Sequence, residues 1–276
     1  MTIPDRYECY ERCVQSPGHV ASFVRAVHGG SPLVLREDFC GSAAVARRWA
    51  AEGAGRGARA VGVDCDPGAL EAARVMARAE RVADEHLGLR RADAVSDADP
   101  SPADVVFVGN FSIGYIHGRA ALVRYLAATR ARLACRSGDG RPAGVLVFDV
   151  YGGAGAFRTG GLERVRVTPG GLVIRYSWRR EAADPVSGMV ENSVSFRVEQ
   201  GGEVVREYLR AFEYRWRLWG LPELRDALDE AGFGLCQVYT EINDDSGGRP
   251  MEVGPGESLG EDWVVLVAAR PSTGSL

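Results

Sequence analysis

The sequence predicts an α/β protein: a doubly wound, mostly parallel sheet with an antiparallel last strand and a small antiparallel β insertion. Three observations carry the prediction. Between residues 33 and 150, short Val-rich apolar runs alternate with Ala- and Leu-rich helical segments, as successive βαβ units require. From residue 161 to about 217 the apolar positions switch to a period of two between turn signals, which is the period of an antiparallel sheet. After a further helix, two strand-like runs close the series.

The elements follow in order. Residues 5–28 form two short helices split by Ser16-Pro17-Gly18, with Tyr7, Tyr10 and Val14 at helical spacing. Strand 33–35 leads to helix 42–51, and strand 60–63 to helix 68–83. A short strand near Leu89 leads to Asp93, strand 104–108 leads to helix 119–133, and strand 145–150 ends this half. These strands are apolar on both faces, as burial between two helical layers demands. In the insertion, strands 162–168, 172–179, 189–199 and 203–216 are divided by Pro169-Gly170-Gly171, residues 184–188 and Gly201-Gly202. Helix 222–231 is stopped by Gly232, where a left-handed cap is expected, and strands 235–240 and 263–269 flank an acidic, Gly-rich loop over 243–262.

Composition excludes several functions. The chain has 276 residues, 46% hydrophobic and 25% charged, which suits one large domain or a domain with an insertion. All 33 basic residues are Arg, so a Schiff-base lysine, a pyridoxal phosphate anchor and a Walker A lysine are ruled out together. The Arg residues are spread evenly and the net charge is −4, which argues against a nucleic-acid partner. No basic segment precedes an apolar run and no apolar stretch approaches membrane-spanning length, so a cytoplasmic protein with no membrane partner is expected. Six cysteines stand apart without a C-x-x-C pair or a neighbouring His, against a zinc site or a disulfide framework.

The first strand meets its helix in "LREDFCGSAAVA", Leu35 to Ala46, where a nucleotide-binding sheet places its glycine-rich turn. A dinucleotide fingerprint needs G-x-G-x-x-G, because the backbone must turn tightly and approach a pyrophosphate. Phe39, Cys40, Gly41, Ser42, Ala43 and Ala44 offer one glycine, and the acids Glu37 and Asp38 precede them. Those acids repel a phosphate and tolerate a cationic ligand that has none. Asp64 ends the second strand 27 positions after Glu37, where an acid takes the hydroxyls of a ribose. Capping the next helix is its competing role, which Asp66 also fits.

In these features the chain resembles the class I S-adenosylmethionine-dependent methyltransferases, whose first motif reads strand, acid, x, G-C-G-[ST]-G. Further landmarks fall in the family's order: "VGVDCDPGALEAAR" from Val61, "ADA" from Ala92, "ADVVFVGNFSIGY" from Ala103, "GVLVFDVYGG" from Gly144 and "LPELRDALDEAGF" from Leu221. The resemblance covers residues 33–270 and implies a Rossmann-like core with S-adenosyl-L-methionine as cofactor. It places Glu37 and Gly41 along the amino acid tail, Asp64 on the ribose, Asp93 on the adenine amine with Ala94 beside the ring, and Asn110 at the methionine end. Tyr10, Phe39, Cys40 and Cys65 complete that set. "FSIGY" followed by an antiparallel insertion is similar to small-molecule enzymes, the sugar N,N-dimethyltransferases and glycine N-methyltransferase-like proteins. The [DN]-P-P-[YF] signature of nucleic-acid and protein-glutamine enzymes is absent.

Methyl transfer is an in-line displacement on an already activated cofactor, so the protein mainly supplies proximity and, where the acceptor needs it, a base. Tyr115 and His117, beyond the fourth strand on the ligand-binding edge, are the catalytic candidates. The acceptor candidates are Tyr7, Tyr151, Arg175, Trp178 and Trp216, with Glu191, Glu241, Asp244 and Asp245 as charged groups able to read a charged acceptor. The expected organisation is a helical cap over 1–30, a cofactor-binding core over 31–160, an insertion over 161–217 acting as lid or homodimer interface, and the rest of the core sheet over 218–276. The expected function is methylation of a small molecule, nitrogen preferred over oxygen or carbon, in natural-product tailoring. An NAD-dependent oxidoreductase and a non-catalytic cofactor-binding module remain as alternatives. The first would show phosphate affinity at residues 39–43, and the second would need no acceptor pocket.

Overall fold

In a computed structural model, which describes residues 2–133, 144–240, 250–254 and 256–272, the βαβ alternation folds into one eight-stranded sheet and the period-two region into a second sheet of four. Two helices come first, α1 (Arg6–Val14) and α2 (Pro17–His28). The core then runs β1 (Val34–Asp38), α3 (Ala44–Gly53), β2 (Arg59–Asp64), α4 (Pro67–Ala79), β3 (Leu87–Arg91), β4 (Val105–Val108), α5 (Arg119–Arg132) and β5 (Val145–Gly152). The insertion is β6 (Gly160–Val167), β7 (Val173–Asp184), β8 (Met189–Gln200) and β9 (Glu203–Arg217). The chain returns through α6 (Leu221–Glu230), β10 (Phe233–Thr240), β11 (Met251–Glu252) and β12 (Trp263–Pro271).

Local chemistry sets the helix ends. Asp5 accepts from the amides of Tyr7 and Glu8, and Glu8 returns the bond to close a capping box at α1. Pro17 opens α2 with its φ already helical, and Gly29 stops it at φ 73°. Asp66 caps α4 by accepting from the Gly68 amide at 2.8 Å.

Strand order in the large sheet is β11-β10-β12-β5-β4-β1-β2-β3. β1 to β5 pair in parallel, and β12 enters antiparallel between β5 and β10, which is the expected antiparallel last strand. Alternate residues of the central strands serve two helical layers. Val106, Val108, Leu146 and Phe148 meet α5 and α6, while Leu35, Phe107 and Val147 meet α2 and α3, where Phe23 and Trp49 are buried. Each such large apolar side chain contributes roughly 1.5–3 kcal/mol by leaving water.

One boundary differs from the sequence reading in a way that matters. β1 does not stop at Leu35 but continues through both acids, pairing Glu37 with Gly62 and Phe107, and Asp38 with Val63 and Val108. The charges are absorbed inside. Asp38, fully buried, accepts from Arg36 Nε at 2.7 Å and from the Tyr125 hydroxyl at 2.9 Å, while Arg36 Nη2 reaches Asp97 at 2.7 Å. Neither acid confronts a ligand directly, so the tolerance of a cation for their charge has no bearing on the site.

The insertion packs one face on the first helix. Cys9 and Tyr10 join Ile174, Tyr176, Val194 and Phe196 in a separate apolar cluster. Backbone atoms tie the two: the Tyr208 hydroxyl donates to Pro4 O at 3.0 Å, and Arg6 donates to Ala211 O at 3.2 Å. The other face is solvated, with Arg175 bonded to Glu199 at 2.7 Å and Arg197 to Glu207 at 2.9 Å. Among the described residues no helix is long and apolar enough to cross a membrane. Cys135, Glu241, Asp244 and Asp245 lie outside the described residues.

Candidate active site

The turn after β1 keeps a glycine-like path with little glycine. Phe39, Gly41 and Ala43 stand at φ 55°, 54° and 54°, all left-handed. For Phe39 and Ala43 this conformation costs about 1–2 kcal/mol each, so the surroundings must hold it. They do. Asp64 Oδ2 accepts from the Gly41 amide at 2.7 Å, Cys40 N donates to Val63 O at 3.0 Å, and Ala43 is wholly buried. The Phe39 ring lies between Tyr115, stacked at 6.1 Å, and Tyr125, edge-on at 6.2 Å.

Glu37 supports the same turn from behind. Its carboxyl, 3% exposed, accepts from the Ala46 amide at 2.7 Å in the first turn of α3, and burial pushes it up to about 8. It therefore anchors the loop and does not open onto a ligand.

Along the carboxyl edge of β1, β2 and β3 the structure brings Gly41, Asp64, Cys65, Asp93 and Tyr115 together. Asp64 also accepts from the Asp66 amide at 2.8 Å through Oδ1, so each oxygen has one bond and keeps a further acceptor position. Asp66, not Asp64, is the α4 cap. A Cβ built on Gly41 would meet nothing within 4 Å, so space is open above the turn. Asp93 is exposed and closes a small turn with Val95 N and Ser96 Oγ, both at 3.0 Å; Ala94 behind it is buried. Tyr115 faces Asp64 and Cys65, stays 42% exposed, and burial of its hydroxyl end pushes it up to about 12.

Beside this edge lies a cavity of about 280 Å³, enclosed by α1, α2, the ends of β4 and β5, β12 and the insertion sheet. Its walls are aromatic: Tyr10, Phe111, Tyr176, Trp178, Tyr214 and Trp216. Tyr214 and Trp216 stack at 4.4 Å, and Trp216 packs edge-on against Tyr115 and Phe111 at 6.1 and 6.0 Å, which joins the cavity to the Gly41–Asp64 edge. At its floor Asn110 and Phe111 stand left-handed at φ 55° and 60°, with their amides donating to Asp149 at 2.9 and 2.6 Å. Asp149 is deep among protein atoms yet open in part to the cavity, and desolvation pushes it up to about 7.

Of the residues singled out from sequence, Tyr10, Asn110, Trp178 and Trp216 line the cavity. Tyr7 lies outside it, donating to Asp66 Oδ2 at 3.1 Å and thereby pinning α1 to α4. Tyr151 backs the wall, edge-on to Phe111 at 4.7 Å. His117 is exposed, and its Nε2–H donates to Arg215 O at 2.9 Å, which commits that nitrogen to holding β9. Arg175 is not brought to the site at all. It belongs to the solvated face of β7, paired with Glu199, because residues one apart on a strand face opposite ways. Glu191 is on that outer side too, near Arg215 at 3.8 Å. Asp149 went unread, although a carboxylate inside the apolar run "GVLVFDV" was a visible signal.

No family model matches the chain, and no curated protein matches it in sequence. Solved structures do match, and they give its fold as that of the S-adenosylmethionine-dependent methyltransferases. One such methyltransferase, from Clostridium acetobutylicum, aligns at TM-score 0.70 and 13% identity over 95% of this chain and 96% of its own. The amino pentose methyltransferase CalS10 from Micromonospora echinaspora aligns at TM-score 0.65 and 18% identity over 99% of each chain. The sugar N-methyltransferase KedS8 from Streptoalloteichus aligns at TM-score 0.64 and 19% identity over 98% of this chain and 94% of its own.

Proposed function

We propose that the protein is an S-adenosylmethionine-dependent methyltransferase acting on a small molecule, with nitrogen as the preferred acceptor atom. The observation that carries this reading is the junction of two spaces at one sheet edge: the open turn at Gly41 and Asp64, and the aromatic cavity beyond Tyr115 and Trp216. The residues present fit the cofactor. Asp64 keeps acceptor positions for two hydroxyls, Asp93 stands exposed on the same edge, and Asn110 lines the cavity beside it. When bound, the cofactor would supply an activated methyl group. The protein would contribute enclosure and alignment, which can supply about 7–11 kcal/mol of a barrier when reacting atoms are held in line. Nitrogen is preferred because KedS8 is a sugar N-methyltransferase and CalS10 an amino pentose methyltransferase, and because the cavity carries a carboxylate among aromatic faces.

The insertion serves as the lid over the acceptor, and natural-product tailoring in the cytoplasm is the proposed setting. Calorimetry with S-adenosylhomocysteine and with NAD tests the class. Heat from the first and none from the second is expected; the reverse would return the protein to the oxidoreductases. A turnover screen of amines, alcohols and carbon acids with radiolabelled methyl donor then identifies the acceptor atom.

A further inference from the structure

Asp149 is the single carboxylate among the described residues that line the cavity, and no arginine lines it. It interrupts a strand whose preceding four residues are fully buried, where an uncompensated carboxylate is costly. Compensation is partial. The amides of Asn110 and Phe111 take two of the roughly four acceptor positions of the group, and no arginine among the described residues pairs with it. The remaining side is open to the cavity, where Trp178, Tyr214 and Trp216 present rings of the kind that attract cations. Two adjacent non-glycine residues are held left-handed against it, a strain of the sort retained at working sites. The other titratable groups in the cavity are Tyr10 on α1, His19 on α2, Tyr176 on β7 and Tyr214 on β9.

We propose that Asp149 receives the protonated amine of the methyl acceptor and takes its proton, so that the substrates are small cationic amines; this rests on the methyltransferase reading above. The step balances within the pair. One N–H bond of the ammonium breaks, its electron pair stays on nitrogen as the nucleophile, and the proton passes to a carboxylate oxygen of Asp149. Because burial sets this carboxyl near 7, it is a better match to an ammonium than an ordinary carboxylate is, and it can return the proton to water near neutral pH.

The probes are benzylamine and benzyl alcohol, titrated by calorimetry into protein saturated with S-adenosylhomocysteine. Benzylamine is expected to bind at least ten-fold more tightly than the alcohol at pH 8. Its affinity should rise with pH through about 7, as the carboxyl ionises, while the alcohol stays flat. Asp149→Asn should shrink the preference below three-fold and remove the pH dependence. Equal binding of the two probes, or a preference that survives in the variant, overturns the proposal. Should the variant not fold, wild-type protein labelled with ¹³C at aspartate carboxyls decides: a titration midpoint near 7 that falls when benzylamine is added supports the assignment, and one that does not move overturns it. Absence of S-adenosylhomocysteine binding would instead sink the methyltransferase reading, and the same two probes on the protein alone would still judge Asp149.

Discussion

Replacing Asp64 with Ala separates two roles that meet in one side chain. In the folded protein its carboxylate accepts from Gly41 N at 2.7 Å and Asp66 N at 2.8 Å, so it braces the turn and the start of α4. Both amides lie near the surface, where water replaces part of what is lost; the stability cost should be about 1–3 kcal/mol. In the proposed function, bound cofactor would add two hydroxyls to the same oxygens. Losing those charge-assisted bonds, with some return from rehydration, should cost about 2–4 kcal/mol of affinity, or roughly 30- to 1000-fold. Asp66→Ala is the control. It removes the α4 cap and the Tyr7 contact for about 1 kcal/mol of stability, and it should change S-adenosylhomocysteine affinity by less than three-fold. Calorimetry with S-adenosylhomocysteine and denaturant titration of both variants read the two quantities. If folded Asp64→Ala binds within three-fold of wild type, Asp64 is a brace only and the ribose assignment is wrong.

Other outcomes follow from the same structure. Trp178→Ala should raise the acceptor KM several-fold with S-adenosylhomocysteine affinity little changed; sedimentation showing a lost dimer with unaltered kinetics would make the insertion an assembly element instead. Glu37 is raised from 4.5 to about 8, so its contribution to stability is full below about 4.5 and is lost as pH rises through about 8. Urea titrations at pH 5 and pH 8 should therefore show a decline in wild type that Glu37→Gln reduces, by up to a few kcal/mol at about 1.4 per unit; identical declines would mean Glu37 ionises normally. Arg36→Met should cost about 3–5 kcal/mol, since it leaves fully buried Asp38 with the Tyr125 hydroxyl but no arginine and Asp97 with Arg90 alone, and a loss below about 1 kcal/mol would show that the Arg36 pairs are dispensable.

The sheet was legible because a parallel strand buried on both faces writes itself as a continuous apolar run, and β2, β4 and β5 do so. The extension of β1 through its acid pair was not legible, for the converse reason. Charged residues extend a buried strand only when partners reach them, and Asp38 is satisfied by Tyr125, 87 residues away. The left-handed turn was hidden because its usual sign is glycine, while here Phe39 and Ala43 adopt it under the constraint of Asp64 and core packing. Period two separated Arg175 from Tyr176 and Trp178, and the aromatic side was the inward one, which is why Arg175 drops out of the site. Asp149 was only half legible: the charge inside an apolar strand shows in the sequence, but the amides of Asn110 and Phe111 that hold it lie 39 and 38 residues away.

The union of α1 with the far end of the insertion has a consequence for how the molecule is made. Tyr7 and Tyr10 rest on Phe212, and Pro4 and Arg6 are bonded to β9, across about 200 residues of chain. On a ribosome adding roughly 5–20 residues per second, α1 therefore waits about 10–40 s for the strand it docks on. A nine-residue helix is marginal in water by itself, so during that interval it has only its polar ties to α3 and α4, through Glu11 and Tyr7, while Cys9 and Tyr10 stay uncovered. β1 to β5 can pair meanwhile. The cavity needs β9 and, through Val264 and Leu266, β12 as well, so truncation products ending after β5 should carry the Gly41–Asp64 edge with no chamber beside it.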